Sequence, residues 1–331
     1  MVDEILEIVL GGLIIAILAD IVFGEPAGYV HVSVLSSRLS GGIAGKLSKT
    51  RRKRAAGAFT LYVTFIVIGI PAFLLLYYLL NLGIPIIIFL LIYSVMLKST
   101  FSITSMGKKV HPIMECLKNE DLDRARFYLS MLSSRETSNL DVTGISSATI
   151  ESIATGITDY YTGALFMYSI FGLVGATFYR IVNTLESKFG YKNKDFFYFG
   201  KPFARAYAVL NYIPSMITAG LIHASAFLLN LNVKEIPARS TFHNFQSRNA
   251  ALSIGSMAAV LNVRLEKKGK YIVNANGFMP TYDQILNSLR IYYISSILMF
   301  FFITLPLLVF MVTIFWPNIW FINGYGWNFL F

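Results

Sequence analysis

Residues 55–97 read AAGAFTLYVTFIVIGIPAFLLLYYLLNLGIPIIIFLLIYSVML and contain no charged side chain. A helix that crosses a lipid bilayer needs about 20 consecutive apolar residues. This run of 43 residues is therefore long enough for two such helices. Asn81 and Pro85 interrupt it near the middle and are typical of a turn. The stretch predicts a hairpin of two membrane helices, at about 55–80 and 84–97.

The composition separates this chain from most soluble proteins. Hydrophobic residues make up 55% and charged residues 14%, with a mean hydropathy of +0.60. An average soluble domain is about 25% charged, so an ordinary soluble enzyme fits poorly. The net charge of +10 is compatible with nucleic-acid binding, but the apolar excess favours a membrane protein with basic cytoplasmic loops. The single cysteine, Cys116, excludes a disulfide framework and a cysteine-based metal site.

Further apolar runs extend the predicted membrane region. Residues 5–23 and 291–316 each predict a span. The first begins with an acidic flank, unlike the basic start of a cleaved signal peptide, so we expect a retained helix. Residues 160–179 and 206–233 are also uncharged and long, and they predict helices that are buried, re-entrant or spanning.

The distribution of charge favours one topology. Loop 24–54 holds seven basic residues against one acidic, loop 180–205 six against two, and loop 234–290 eight against three. Four spans and an external N-terminus place all three loops in the cytoplasm, whereas six spans place 180–205 outside, against the positive-inside tendency. We therefore favour four spans over six. The predicted fold class is all-α: one polytopic, multi-pass domain over 1–331 in the cell membrane, with cytoplasmic helical loops and contacts to lipids.

A polar segment between the membrane runs predicts an amphipathic helical hairpin. Strand alternation is weak throughout the chain. Two sets of apolar residues repeat at helical spacing on either side of Asn119, Glu120 and Asp121. The sets are Val110, Ile113, Met114 and Leu117, then Leu122, Ala125, Leu129 and Leu132. We expect this hairpin to be a packed cytoplasmic cap.

Common catalytic motifs are missing from the sequence. The nearest approach to a phosphate-binding loop, GGIAGK at 41–46, is followed by Leu47 and lacks the required spacing and hydroxyl. There is no HExxH pair, and the histidines are too scattered to predict a zinc site. They are His31, His111, His223 and His243.

One group of polar residues stands directly against an apolar segment. Arg180, Asn183 and Thr184 lie on one face of a predicted helix. The arginine side chain offers a fork of donors to phosphate or carboxylate, and the other two add neutral hydrogen bonds. A helix end that is exposed to water does not require these three polar residues to lie together. The pattern therefore favours a cytoplasmic site for an anionic ligand.

Two acidic residues near an apolar segment, Glu151 and Asp159, each have two interpretations. Glu151 and Asp159 are eight residues apart and share a face if their helix is continuous, so they could hold Mg²⁺ through carboxylate and water. Alternatively, Glu151 caps a helix and Asp159 reaches towards water. Asp20 lies inside the first predicted helix, where a buried charge is costly unless it is paired or used. Ser247, Arg248 and Asn249 could form the N-terminus of a helix with a free anion site.

Short motifs in order along nearly the whole chain resemble the CobD/CbiB family, integral membrane proteins of cobalamin biosynthesis that make adenosylcobinamide phosphate. The segment at Tyr179-Arg180 is the most specific of them. In chain order the matching residues are Asp20, Gly24-Glu25-Pro26 and His31; Arg135-Glu136-Thr137-Ser138 with Leu140-Asp141; Glu151-Ser152 and Asp159; Tyr179-Arg180 with Asn183-Thr184-Leu185-Glu186-Ser187; Tyr191-Lys192-Asn193, Phe199-Gly200 and Asn211-Tyr212-Ile213-Pro214; then Ser247, Asn249-Ala250, Met257-Ala258 and Val263-Arg264-Leu265.

The resemblance implies an ATP-dependent amide ligase that joins aminopropanol, or its phosphate, to a carboxylate of adenosylcobyric acid. It implies ATP and Mg²⁺ as cofactors, a corrinoid substrate, contacts with other enzymes of the corrinoid pathway and no nucleic acid. Arg135 and Arg180 are expected to hold phosphates. The implied catalytic residues are Arg135, Arg180, Asn183, Thr184, Asp20 and His31; the substrate-binding residues are Glu25, Lys192, Asn193, Asn211, Ser247 and Asn249; the metal ligands are Glu151 and Asp159.

The chain also departs from the family pattern at four places. Val32 stands where the family has Pro after His31, and the closing motif reads Phe245-Gln246-Ser247-Arg248-Asn249, so its His is missing or displaced to His243. Thr155 and Gly156 stand where the family has Glu-Asn, and Tyr207 and Ala208 stand where it has two aspartates. These changes remove polar groups from positions that could bind metal or nucleotide. The alternative hypothesis is therefore a catalytically impaired paralogue that acts as a membrane scaffold or corrinoid binder.

Overall fold

The computed structural model describes residues 2–25, 31–190, 196–231, 245 and 247–315. These residues are mostly helical, which confirms the all-α class. The helices are α1 (Val2–Phe23), α2 (Val32–Leu47), α3 (Lys53–Asn81), α4 (Ile86–Lys98), α5 (Ser105–Lys118), α6 (Leu122–Leu132), α7 (Val142–Gly156), α8 (Gly163–Phe189), α9 (Lys201–Leu210), α10 (Tyr212–Leu228), α11 (Arg248–Leu261), α12 (Tyr282–Leu298) and α13 (Leu305–Phe310), with π-helical turns at Ile157–Thr162, Met299–Thr304 and Met311–Phe315 and strands β1 (Leu265–Lys267) and β2 (Tyr271–Val273).

The chain divides into two compact units whose segments alternate along the sequence. The first unit comprises Met1–Ser102, Gly163–Leu210 and Phe302–Phe331. The second comprises Ile103–Thr162 and Asn211–Phe301. Each unit contains its own apolar core. The expectation of a single domain stays a prediction.

The core of the first unit lies among α2, α3, α8 and α9. Aromatic rings dominate one end of it, where Phe189 packs against Phe199 and Phe203 with ring centroids 5.5 and 5.7 Å apart. Gly57 allows α3 to approach closely, because a Cβ atom there would overlap the carbonyl of Phe199. The buried members of this core are Val32, Ala44, Ile181, Leu185, Phe189, Phe199 and Phe203.

The second unit contains the predicted amphipathic hairpin, which is confirmed. Helices α5 and α6 pack against each other and against α7. Asp121 begins α6 by accepting a hydrogen bond from the Arg124 amide at 3.1 Å, which is a common N-terminal cap. The apolar stripes of the two helices meet α7 in a core of Ile113, Ala125, Leu129, Ile145 and Ala148.

The second unit also contains a β-hairpin that the sequence did not predict. Strands β1 and β2 pair antiparallel, with Lys267 opposite Tyr271 and Leu265 opposite Val273. Leu265 and Val273 are fully buried, and β1 packs on α7. Three residues per strand are too few for period-two alternation to be recognised.

In the part of the chain that the structure describes, four helices are long and apolar enough to cross a membrane, namely Asp3–Phe23, Lys53–Asn81, Val142–Phe189 and Tyr282–Phe315. They fit a multi-pass membrane protein. Three of them cover the predicted spans 5–23 and 55–80 and residues 291–315 of the predicted span 291–316, whose last residue lies outside the described part of the chain. Helix α4, by contrast, has 13 residues and is about 20 Å long, shorter than the bilayer core of about 30 Å.

The predicted topology can be tested by labelling. We expect cysteines placed at Arg51, Lys192 and Lys268 to react only with reagents that reach the cytoplasm, because basic loops stay inside. The native thiol is removed first by Cys116→Ser. Lys192 lies outside the described residues. External labelling of Lys192→Cys alone would indicate six spans in place of four.

A break inside α8 leads to a stability prediction. Gly172 has φ 60° and ψ −152°, a conformation that is essentially restricted to glycine. Gly172→Ala should therefore destabilise the protein by about 1–3 kcal/mol. The matched control is Gly220→Ala on α10, where an added Cβ atom meets nothing within 4 Å. Thermal unfolding in detergent compares the two; equal melting temperatures would contradict the prediction.

Candidate polar site

A buried ion pair lies in the second unit. Arg135, in the loop between α6 and α7, donates a hydrogen bond from Nη2 to Glu151 Oε2 at 2.5 Å. The Tyr271 hydroxyl at the start of β2 donates to the same oxygen at 2.6 Å. The two charged side chains are 10% and 4% exposed. Because water is largely excluded, the carboxylate depends on these donors for its stability.

The β-hairpin is bonded to α7 next to this ion pair. Ser147 Oγ donates to Glu151 Oε1 at 3.3 Å and accepts from the Glu266 amide at 2.9 Å. Arg135 Nη1 donates to the Glu266 carbonyl at 3.2 Å. Arg264 pairs with the Glu266 carboxylate at 2.8 Å. One network thus joins the α6–α7 loop, α7 and β1.

The surroundings of this network change the proton affinity of two hairpin residues. Burial, together with the negative charge of Glu151, raises the pKa of the Tyr271 hydroxyl well above its ordinary value. This hydroxyl therefore stays a donor at neutral pH. Burial, with repulsion from Arg135 and Lys270, lowers the pKa of Lys267, and Glu151 partly opposes this shift. The ring of Phe245 stacks on Tyr271 with centroids 4.0 Å apart.

Glu151 fits a Mg²⁺ site poorly in this arrangement. Both of its carboxylate oxygens accept hydrogen bonds, and its charge is neutralised by Arg135. Asp159 lies on the π-helical turn Ile157–Thr162, whose i→i+5 pattern alters the angular spacing on which the shared face depended. Among the described residues no group of three or more His, Cys, Asp or Glu side chains could hold a metal ion. The Mg²⁺ assignment stays a prediction, and Glu151 is better explained as a partner of Arg135.

Two of the positions where the chain departs from the family pattern, Thr155 and Gly156, have local structural reasons. The Thr155 hydroxyl donates to the Glu151 carbonyl at 3.1 Å, so it is satisfied within α7. Gly156 lies against Met106 and Tyr160, and a Cβ atom there would overlap the Met106 methyl group. At Gly156 the small residue therefore matches the packing of its neighbours.

Asp20 is paired in the first unit. Lys98 Nζ lies 2.7 Å from Asp20 Oδ1, and both side chains are buried. Ser102 Oγ donates to the same carboxylate oxygen at 3.2 Å. These contacts join α1 to the end of α4 and the residues that follow it. Sequence reasoning missed Lys98, because a lysine directly after an apolar helix is typical of a membrane-interface anchor.

Arg180 and Asn183 occupy buried positions on α8, in the first unit, and Thr184 is partly buried there. Arg180 Nη1 donates to Asn183 Oδ1 at 3.4 Å, and both residues are at least nine-tenths buried. The Thr184 hydroxyl donates to the Arg180 carbonyl at 2.8 Å. The predicted common face of Arg180 and Asn183 is therefore present. The Thr184 hydroxyl has its own donor bond within the helix.

The remaining predicted residues have varied surroundings. His31 is buried and begins α2, where Nδ1 accepts from the Ser33 amide at 3.1 Å, while Glu25 is exposed. Asn211 is fully buried at the start of α10. Ser247 begins α11 as predicted by accepting from the Ala250 amide at 3.4 Å. Asn249 is 9% exposed. Lys192 and Asn193 lie outside the described residues.

The predicted site residues thus belong to both units. Local contacts bring together Arg135 with Glu151 and Arg180 with Asn183. Those in the first unit are Asp20, Glu25, His31, Arg180, Asn183 and Thr184, and those in the second are Arg135, Glu151, Asp159, Asn211, Ser247 and Asn249. The sequence did not identify Tyr271, Ser147 or Lys267 as site residues. No sequence pattern distinguishes Lys267, for example, from its neighbour Lys268.

These features define a helical, multi-pass membrane protein with buried ionic networks at helix ends. The model of the CobD/Cbib protein family matches residues 13–314, and the chain belongs to that family.

Relatives that match over most of this chain are known from several archaea. A probable cobalamin biosynthesis protein CobD from Thermoplasma volcanium is 42% identical over 90% of this chain and 97% of its own length. Its counterpart in Thermoplasma acidophilum is 39% identical with the same coverage. The Methanocaldococcus jannaschii protein of that name is 32% identical over 78% of this chain and 86% of its own length. No solved structure matches.

Proposed function

We propose that this protein is a cobalamin biosynthesis enzyme of the cell membrane that forms an amide bond. Its substrates would be a carboxylate of adenosylcobyric acid and aminopropanol or its phosphate, and its product cobinamide or cobinamide phosphate. Family membership supports the role in cobalamin biosynthesis and a corrinoid substrate. The observation that best supports this reaction concerns Arg135 and Arg180. Both arginines stand at family motif positions, and both are buried and hydrogen-bonded.

In the proposed reaction, the side chains take little part in making or breaking covalent bonds. ATP would supply the phosphoryl group that converts the carboxylate to an acyl phosphate. The amine nitrogen then forms a bond to the acyl carbon, the phosphate departs with its bonding electrons, and the amine loses a proton. Binding, orientation and charge neutralisation would dominate such a reaction.

The roles proposed for the chain follow from the chemistry of its side chains. Arg135 and Arg180 offer planar forks of donors that suit phosphate and carboxylate oxygens. Each is already held in place, by Glu151 and by Asn183 respectively. A preorganised cation of this kind can stabilise the charge that develops on the departing phosphate.

Complementation tests the proposed function. The gene is expressed in a bacterial strain that lacks its own family enzyme, under conditions where growth needs cobalamin synthesis. We expect growth, and failure despite confirmed membrane expression would contradict the proposal. The comparisons do not favour the alternative of an impaired scaffold, since relatives named as biosynthetic proteins match over nearly the whole chain.

A further inference from the structure

The pairing of the β-hairpin places a third cation beside the Arg135–Glu151 ion pair. Lys267 is directly opposite Tyr271 in the antiparallel register, and opposite residues project from the same face of a sheet. The hydroxyl of Tyr271 reaches Glu151 on that face. The Lys267 side chain is therefore directed to the side of the hairpin that carries the buried network.

The charges of this network do not cancel. Arg135 pairs with Glu151, and Arg264 pairs with Glu266. Within the described residues the ammonium group of half-buried Lys267 has no hydrogen bond or ion pair, so one positive charge is in excess. The neighbouring lysines on the hairpin, in contrast, are exposed to water.

A second observation concerns Arg135. Its Nε atom is buried and has no hydrogen-bond partner in the part of the chain that the structure describes. The side chain is 10% exposed. Buried donors in proteins are nearly always satisfied, and an unpaired one is explained by strain, function or an absent ion. A guanidinium with one unpaired donor, Nε, next to an ammonium group without a counter-charge is an arrangement suited to an anion.

We propose that Lys267 and Arg135 together bind a phosphate group, with Glu151 and Tyr271 holding Arg135 in position. The inference rests on the proposed function, which brings two phosphate-bearing molecules to the enzyme, ATP and the phosphorylated amine. The arginine supplies a planar fork of hydrogen-bond donors and the lysine a compact positive charge. Together they suit the oxygen atoms of a phosphate group. Glu151 is then a positioning residue and not a metal ligand.

Ligand-dependent thermal shift tests the proposal without turnover. A ligand that binds the folded state raises the melting temperature with its concentration. The purified full chain in detergent is titrated with inorganic phosphate, with ATP and with aminopropanol phosphate. In Lys267→Met the apparent dissociation constant for at least one of them should rise by about tenfold or more, as expected for loss of a charged contact. The affected ligand identifies the source of the phosphate.

Two further variants provide the controls. Lys268→Met removes an exposed charge from the next residue and should leave all three titrations unchanged. Lys267→Arg retains the charge and should keep most of the shift. Without ligand, Lys267→Met should melt no lower than the parent, because it removes repulsion with Arg135.

The outcomes separate this proposal from the proposed function. Equal titrations for Lys267→Met and Lys268→Met overturn the phosphate site, even when complementation succeeds. A lower melting temperature of Lys267→Met without ligand, with unchanged dissociation constants, also overturns it and makes Lys267 structural. If the ligands no longer raise the melting temperature of Lys267→Met and the parent protein fails to complement, the phosphate site is supported and the proposed amide-forming reaction is contradicted.

Discussion

Lys98→Met should lower the free energy of unfolding by about 3–5 kcal/mol, the effect expected when one partner of a buried ion pair is removed. Lys98 lies 2.7 Å from Asp20, and the side chains are 4% and 0% exposed. Without the ammonium group, the Asp20 carboxylate loses its counter-charge, and the Ser102 hydroxyl that donates to the same oxygen is neutral. One hydrogen bond from a hydroxyl compensates only part of the cost of burying a charge.

The measurement is a denaturant titration in mixed micelles. Lys46→Met, at an exposed position on α2 in the same unit, should change the free energy of unfolding by less than about 0.5 kcal/mol. The double variant Asp20→Asn, Lys98→Met removes both charges and should recover part of the loss. If Lys98→Met is as stable as the parent, the ion pair has no structural importance and Asp20 remains available for the site.

Arg180→Ala is expected to reduce product formation by about 100- to 1000-fold, the loss seen when a preorganised donor is removed from a site that excludes water. Arg180 is 6% exposed, and its guanidinium group contacts Asn183. Membrane abundance should stay nearly unchanged if its main partner is the substrate. Arg180→Lys should recover little activity, because an ammonium group cannot reproduce the planar fork.

The control for this variant is Arg205→Ala, an exposed arginine on α9 in the same unit. Product is quantified from membranes that contain equal amounts of each variant by immunoblot. A parallel fall in abundance and activity for Arg180→Ala would make the residue structural. Normal turnover would remove Arg180 from the site.

The helical class followed from residue pattern alone. Long uncharged runs leave a chain in lipid few choices besides helices, since every backbone polar group must be satisfied within its own segment. The α5–α6 hairpin was equally readable, because its apolar residues recur at a period that only a helix brings to one face. The β1–β2 hairpin was not, since each strand has three residues.

The family motifs identified which polar residues to consider but not what they contact. Glu151 and Asp159 suggested a metal site from their spacing, yet Glu151 is held by Arg135 and by Tyr271, which is 120 residues away along the chain. Asp20 was expected at a reaction site and is paired with Lys98. The periodicity of a sequence shows which residues lie on the same face of one helix. It does not show which residue of another element they contact.

What the sequence determined by itself is the class of fold, the approximate membrane runs and the family, because these depend on composition, period and local motif. Only the tertiary structure decided the partners of the buried charges, the kink at Gly172 and the orientation of Lys267. Buried charges must find a counter-charge or a donor wherever the fold brings one. That choice is made by packing between distant segments, and so it cannot be read from either segment alone.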